Sequence, residues 1–127
     1  MANPNLLTQT SLTAKVVTGT LSNASLISQN LVVAAASTLV TIRNLTMATA
    51  NGNLYFTTSN ANVNLAIFDS SAATTKFVQF DYNIPVKSTG YFASVTSPIY
   101  LEEGDALQAN ATFNLTIDYS CSYEVRS

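Results

Sequence analysis

Three acidic residues stand close together in the last third of the chain. Glu102, Glu103 and Asp105 fall within four positions, although the whole sequence has only seven acidic residues. Carboxylates grouped in this way could bind calcium, but calcium takes about six to eight oxygen ligands, and three side chains are too few. Gly104 favours a hairpin turn with one left-handed residue. The sequence therefore predicts an exposed turn, with a cation site as the alternative.

Most of the residue types that carry out enzymatic chemistry are missing. The sequence has no histidine, which is the commonest general base and metal ligand. Its single cysteine, Cys121, has no histidine to activate it. Neither a nucleophile elbow nor a glycine loop for phosphate is present. We therefore expect no catalytic residues, no bound metal and no cofactor, so the chain is predicted not to be an enzyme.

Cys121 lies on the apolar phase of an alternating segment, which predicts a buried thiol. With one cysteine the chain cannot form an internal disulfide. Synthesis and assembly in a reducing cytosol fit this cysteine usage best.

The composition suggests a surface that other subunits cover. The 127 residues suffice for one domain with a real core. Charged residues make up 9% of the chain, against about 25% in an average protein, while hydrophobic residues make up 47%. Ser, Thr and Asn together supply 44 residues. Partner subunits would explain the low charge. The alternative is a stable β domain with a hydroxyl-rich surface.

Charge and hydropathy argue against two classes of partner. The net charge is −2, and the five basic residues are scattered along the chain, so we expect no nucleic-acid binding. The longest apolar run, Leu31–Ala36, is far shorter than the roughly 20 residues of a membrane-spanning helix. The first residues also lack the charged start and apolar core of a secretion signal. No membrane association is expected.

The clearest structural pattern runs from Leu107 to Arg126, where apolar and polar residues alternate without a break. Successive side chains of a strand point to opposite faces, so this pattern predicts β structure with one dry face. A straight strand of this length would span roughly 66 Å, too long for a compact domain. We expect the chain to fold back near Asn110–Asn114 through an odd-length loop or a bulge, or to bend from one sheet into the other. The preferred interpretation is a closing hairpin.

The rest of the chain predicts a β-sandwich. Short alternating segments are separated by turns every 8–12 residues or so, which is typical of sandwiches and barrels. The predicted fold is all-β, an antiparallel, jelly-roll-like β-sandwich of about eight to ten strands over residues 11–127. Residues 1–10 are predicted to form an N-terminal arm that reaches a neighbour. Leu31–Ala36 is compatible with helix or strand. The predicted strands begin near Leu12, Ser25, Thr38, Leu54, Val63, Val78, Tyr91, Ile99 and Leu107.

Aromatic residues are expected mainly in the core or in subunit contacts. Val78, Phe80 and Tyr82 share one phase of a strand, which predicts that they face inward. The pairs Tyr55-Phe56 and Tyr91-Phe92 each force one ring outward. Such rings could form a sugar-binding platform, although subunit packing is the commoner explanation.

Two motifs in the last third resemble a known group of proteins. The segment Ser97-Pro98-Ile99-Tyr100-Leu101-Glu102-Glu103-Gly104-Asp105-Ala106-Leu107 and the segment Ser120-Cys121-Ser122-Tyr123-Glu124 resemble small virion structural proteins of tailed bacteriophages, notably those infecting cyanobacteria and other aquatic bacteria. Such proteins carry "PLYLEEGD-x-L" and close with "CSYEE" or similar. The Leu-Glu-Glu-Gly-Asp-x-Leu hairpin is also similar to the late hairpin of jelly-roll trimers such as C1q-like domains. The ending Tyr123-Glu124-Val125-Arg126-Ser127 departs from the acidic ending of the phage proteins.

The resemblance implies a virion protein assembled in the host cytoplasm, most simply a capsid decoration or cement protein. Its expected partners are the major capsid protein or other virion proteins, and other copies of itself, with a homotrimer as the first expectation. Two alternatives remain open: a neck, tail or fibre component, and a carbohydrate-binding β-sandwich or adhesin.

Overall fold

The computed structural model describes residues 11–21, 29–49, 61–85, 88–112 and 117–127. Within these ranges the regular structure consists of nine β-strands and no helix, which confirms the predicted fold class. The predicted arm over residues 1–10, the strand near Leu54 and the pair Tyr55-Phe56 lie outside the described residues. The strands are β1 (Leu12–Leu21), β2 (Gln29–Val33), β3 (Leu39–Ala48), β4 (Ala61–Asp69), β5 (Thr74–Ile84), β6 (Thr89–Ala93), β7 (Ile99–Leu101), β8 (Ala106–Thr112) and β9 (Ile117–Arg126).

The strands form two antiparallel sheets that pack face to face. Sheet A has the order β1-β9-β3-β6, and the short β7 also pairs with β3. Sheet B has the order β2-β8-β4-β5. Apart from β4–β5 and β6–β7, each strand is followed in sequence by a strand of the other sheet. A chain that crosses between two sheets in this way builds a jelly roll, as the sequence predicted.

The core lies between the inward faces of the two sheets. Sheet A contributes Ile42, Leu45 and Met47, and each is fully buried. Leu65 and Leu107 face them from sheet B and are equally buried. The alternation of the sequence explains this arrangement, since every second residue of a strand points to the same face.

The alternating C-terminal run divides into two strands of different sheets. β8 belongs to sheet B and β9 to sheet A, so the predicted closing hairpin is wrong. The other possibility considered, a passage from one sheet to the other, is what the structure has. Both inward faces meet the same core: Leu107 on β8 and Ile117 and Cys121 on β9 are fully buried. A crossing between sheets keeps the apolar phase, whereas a two-residue hairpin loop would have switched it.

The ambiguous run Leu31–Ala36 begins as a strand and then turns. β2 ends at Val33, and the backbone beyond it has no helical bonding in the structure. Ala34 instead bonds to the turn before β8: its N–H donates to the Asp105 carbonyl, and its carbonyl accepts from Gly104, both at 2.9 Å. Ser37 has a positive φ of 58°, which a continuing helix does not allow.

The β4–β5 hairpin is closed by the side chain of Asp69. Its carboxylate accepts hydrogen bonds from the Ser71 hydroxyl at 2.7 Å and from the Ser71 and Ala72 amides at 3.0 and 3.3 Å. The Ser71 hydroxyl and the Ala72 amide hold the pKa of Asp69 below its usual value. Asp is favoured in turns because its side chain can cap the following amides in this way.

Candidate docking surface

The acidic group at 102–105 forms a turn, but this turn joins β7 of sheet A to β8 of sheet B, so the predicted hairpin is wrong. Gly104 has φ 85°, the left-handed conformation that the sequence predicted. Asp105 is only 7% exposed, and its carboxylate accepts hydrogen bonds from the Glu102 amide at 3.2 Å and the Ser70 amide at 3.1 Å. This carboxylate therefore fastens the turn to the β4–β5 loop. Among the residues that the structure describes, no group of three or more His, Cys, Asp or Glu side chains is placed to hold a metal ion.

Cys121 is buried, as the sequence predicted. Its side chain lies in the core between the sheets. Burial raises the pKa of the thiol to about 11. A thiol in this setting stays protonated at neutral pH and is a poor nucleophile.

The most unusual surface of the described chain is an apolar strip on β5. It consists of Phe77, Val78, Phe80 and Tyr82, which are 50, 42, 69 and 39% exposed. Strand β5 is at the edge of sheet B, and only its last residue, Ile84, is buried. The prediction that these side chains face inward is therefore wrong for Val78 and Phe80. Tyr82 does lie on the inward side, opposite the buried Val63, but it is only partly covered. Large apolar side chains that cluster on a surface mark a contact site for another molecule.

Two bulges explain why β5 does not follow the predicted phase. Tyr82 stands opposite Val63, but Gln79 stands opposite Leu65, so three steps on β5 match two on β4. A second shift follows directly, where Phe77 faces Ala66. Each bulge moves the following side chains to the other face. The adjacent apolar residues Phe77 and Val78 were the signal in the sequence, because strict alternation cannot bury both.

Hydrogen bonds from β4 hold the first bulge in place. Asp81 has a positive φ of 56°. Its N–H donates to the Asn64 side-chain oxygen at 2.7 Å, and its carboxylate accepts from the Asn62 amide group at 2.8 Å. Asp is one of the few residue types that tolerate this conformation. The bulge is thus a fixed feature, and it places Gln79 instead of Phe80 opposite the core residue Leu65.

The rings of the apolar strip are held by edge-to-face contacts. Phe77 and Phe80 have ring centroids 5.0 Å apart at an interplanar angle of 76°. Tyr82 packs on Phe92 of β6 at 5.0 Å and 69°. Phe92 in turn packs against the core. Because β5 and β6 belong to different sheets, this contact joins the two sheets at one side of the sandwich and anchors one end of the strip.

A second surface feature is a polar groove on the outer face of sheet A. It has a volume of about 540 Å³, and its lining includes Thr18, Thr20, Asp118 and Ser120 as well as the less polar Ala48 and Tyr119. Thr20 donates to Asp118 at 3.0 Å. Tyr91, 75% exposed, stands beside the groove opposite Thr46. The prediction that the pair Tyr91-Phe92 sends one ring outward is confirmed, since Phe92 packs inward.

Comparisons with protein-family models, with curated proteins and with solved structures gave no match. Among the described residues, no helix is long and apolar enough to cross a membrane. The most distinctive surface of the described residues is the apolar strip.

Proposed function

We propose that this chain is a non-enzymatic structural protein of a bacteriophage virion, a decoration or cement protein on the capsid. The observation that carries the proposal is the apolar strip: four large side chains exposed along one edge, in a chain of which only 9% is charged. The resemblance of the segments 97–107 and 120–124 to phage virion proteins supports the same conclusion.

The apolar strip would act by burying its rings against the major capsid protein. Covering an exposed aromatic side chain contributes about 1.5–3 kcal/mol. Lys76 and Asp81 are the only charged residues on β5, so the desolvation penalty of the contact is small. The fixed bulge and the paired rings lose little conformational freedom on binding.

The protein would assemble as a homo-oligomer on the shell, with a homotrimer at the threefold positions as the first candidate. Several weak contacts that act together bind far more tightly than one, which suits a protein that joins neighbouring capsomers. Assembly in the host cytoplasm agrees with the buried, protonated thiol of Cys121.

Co-sedimentation with virions of the phage that encodes the chain tests this proposal. Wild-type protein should sediment with particles that lack their own copies, and Phe80→Ser should bind at least about tenfold more weakly because a buried ring is lost. Tyr100→Ser is the matched control, since Tyr100 is similarly exposed, at 61%, but belongs to sheet A. Equal binding by wild type and Phe80→Ser, at unchanged melting temperature, would contradict the role of the apolar strip.

The first alternative is a neck, tail or fibre component of the same virion. Electron microscopy of gold-labelled particles separates the two roles. A decoration protein labels the whole shell, whereas a neck or tail protein labels one vertex or the tail.

The second alternative, a carbohydrate-binding protein, rests on the polar groove beside Tyr91. Hydroxyls and a carboxylate next to an exposed ring are suited to a neutral sugar. An array of neutral oligosaccharides tests this alternative: binding that Tyr91→Ala abolishes, without any association with virions, would favour it over the virion role.

A further inference from the structure

Strand β1 is the most regular free edge of the described sandwich. The sheets end at β1, β6 and the three-residue β7 in sheet A and at β2 and β5 in sheet B. The pairing of β2, β5 and β6 with their neighbours is interrupted by register shifts. The pairing of β1 with β9 is uninterrupted over ten residues, from Leu12 to Leu21. Bulges protect sheet edges from further pairing, and β1 has none.

The pairing of β1 with β9 determines which residues of β1 point their backbone N–H and C=O groups to the free edge. Ser11 and Ser127 exchange both backbone hydrogen bonds, at 3.3 and 3.2 Å. In an antiparallel pair such residues alternate with residues that point their N–H and C=O groups away. The odd-numbered residues of β1 therefore bond to β9, and the even-numbered ones present their backbone groups to the outside. The Thr20 carbonyl confirms this direction, because it accepts a hydrogen bond from the Gln29 side chain of β2.

The side chains of this edge suit a second strand. The even-numbered residues are Leu12, Ala14, Val16, Thr18 and Thr20. Leu12 and Val16 are 59 and 68% exposed. No proline interrupts β1, and its only charged residue is Lys15. Apolar, β-branched and hydroxyl side chains of this kind favour strand pairing.

We propose that β1 pairs antiparallel with β1 of a second copy across a twofold axis, with Val16 opposite Val16. Leu12, Ala14, Val16 and Thr18 of each copy then direct both backbone groups to the partner strand, and Thr20 adds its N–H, since its carbonyl already accepts from Gln29. The two A sheets become one continuous sheet, and the hydroxyl-rich outer faces of both copies lie on the same side.

Side-chain charge selects this register among its neighbours. A shift that places Ala14 opposite Val16 would set the two Lys15 residues directly opposite each other, and like charges in that position are destabilising. A shift in the other direction, with Val16 opposite Thr18, leaves Leu12 without a partner within β1. In the proposed register Lys15 stands opposite Val17. Each even-numbered residue from Leu12 to Thr20 then has a facing residue in the partner β1.

The pairing goes beyond the proposed role on the virion and does not depend on it. The β1 contact joins two copies of the same chain around a twofold axis, whereas the apolar strip is proposed to bind a different protein, the major capsid protein. A viral shell has both threefold and twofold axes, so a trimer and a β1 pair are compatible.

A proline variant tests the pairing in the isolated protein by light scattering. Val16→Pro removes an N–H that points outward, so the fold should persist while the mass falls to half that of the wild type. Val17→Pro removes an N–H bonded to β9 and should lower the melting temperature. The chain has a mass of 13.5 kDa, so the states are easily separated. Wild-type protein that is monomeric at 100 μM, or unaffected by Val16→Pro, would overturn the proposal.

Cysteine variants test the register even if Val16→Pro fails to fold. Facing residues of a bonded pair have Cα atoms about 5.5 Å apart, which suits a disulfide. Val16→Cys should cross-link to itself under mild oxidation. Thr18→Cys should not, because its counterpart lies roughly 13 Å away, but it should cross-link to Ala14→Cys in a mixture. The native Cys121 is buried and does not interfere. Self-linking of Thr18→Cys in place of Val16→Cys would refute the register.

Discussion

Gly19 and Tyr119 face each other across β1 and β9, and the Tyr119 hydroxyl occupies the space that a side chain on Gly19 would need. A Cβ atom on Gly19 would lie 2.6 Å from this oxygen and 2.8 Å from the ring carbon that carries it. Tyr119 is 8% exposed and belongs to the core, so its ring has little room to move. The glycine is therefore required by close packing.

Replacement of Gly19 tests this contact. Gly19→Ala should lower the free energy of unfolding by about 1–3 kcal/mol, because the ring must shift in a packed core. In a Tyr119→Leu background the same change should have a much smaller effect. Urea denaturation of the four proteins measures the coupling. If Gly19→Ala lowered the free energy of unfolding equally in both backgrounds, the Tyr119 ring would not be what excludes a side chain at position 19.

The turn at 102–105 should depend on Asp105 and not on its neighbours. Asp105→Ala leaves the amides of Ser70 and Glu102 without their acceptor and should lower the free energy of unfolding by about 1–3 kcal/mol. Glu103→Ala, in the same turn, is the control and should have little effect. Thermal melts with 5 mM calcium or EDTA should coincide for all three proteins. A rise in melting temperature with calcium would restore the cation site.

Burial of the Cys121 thiol should make stability depend on alkaline pH. Its folded pKa of about 11 lies above the ordinary value of 9.0, so the folded state favours the protonated thiol. Between these values the unfolded chain ionises first and gains free energy, and the stability of the fold falls as the pH rises. The loss should be on the order of 1–3 kcal/mol. Cys121→Ala carries the same lysines and tyrosines and should lack this component, which urea titrations at pH 8 and pH 10.5 can measure.

Deletion of residues 1–10 tests the predicted N-terminal arm. The bonded pair Ser11 and Ser127 marks the start of the β1–β9 ladder, so deletion of residues 1–10 should leave the melting temperature nearly unchanged. If the arm reaches a neighbour, the shortened protein should sediment with virions several-fold less than the full chain. Identical sedimentation would show that the arm has no part in docking.

The sequence was most informative where strands lie inside a sheet. The alternation of Leu107–Arg126 predicted the dry face of β8 and β9 correctly, because central strands bury one side against the core. The alternation did not distinguish a hairpin from a crossing between sheets. It shows which side chains share a face of a strand, but it does not show which strand lies next to it. That information is long-range and resides in the packing of the whole sandwich.

The same pattern was misleading on β5. Val78, Phe80 and Tyr82 alternate like core residues, but the bulge at Asp81 takes Phe80 out of the core phase, and the edge position leaves all three exposed. Local sequence does not say which strand is at an edge, and a bulge depends on the hydrogen bonds of Asn62 and Asn64 on another strand. The low charge of the chain suggested contacts with other subunits, and that stays a prediction for this exposed surface.

The place of β9 has a consequence for synthesis. The last ten-residue strand of the chain is inserted between β1, which is made first, and β3. Sheet A cannot be completed until β9 has been made, so β1 waits without its sheet partner and β3 pairs only with β6 and β7. Folding of sheet A therefore depends on contacts between residues far apart in the sequence, which are slow to form. A premature stop upstream of β9 would release a chain without this strand. The backbone groups of β1 and β3 that normally bond to β9 would then have no partner strand.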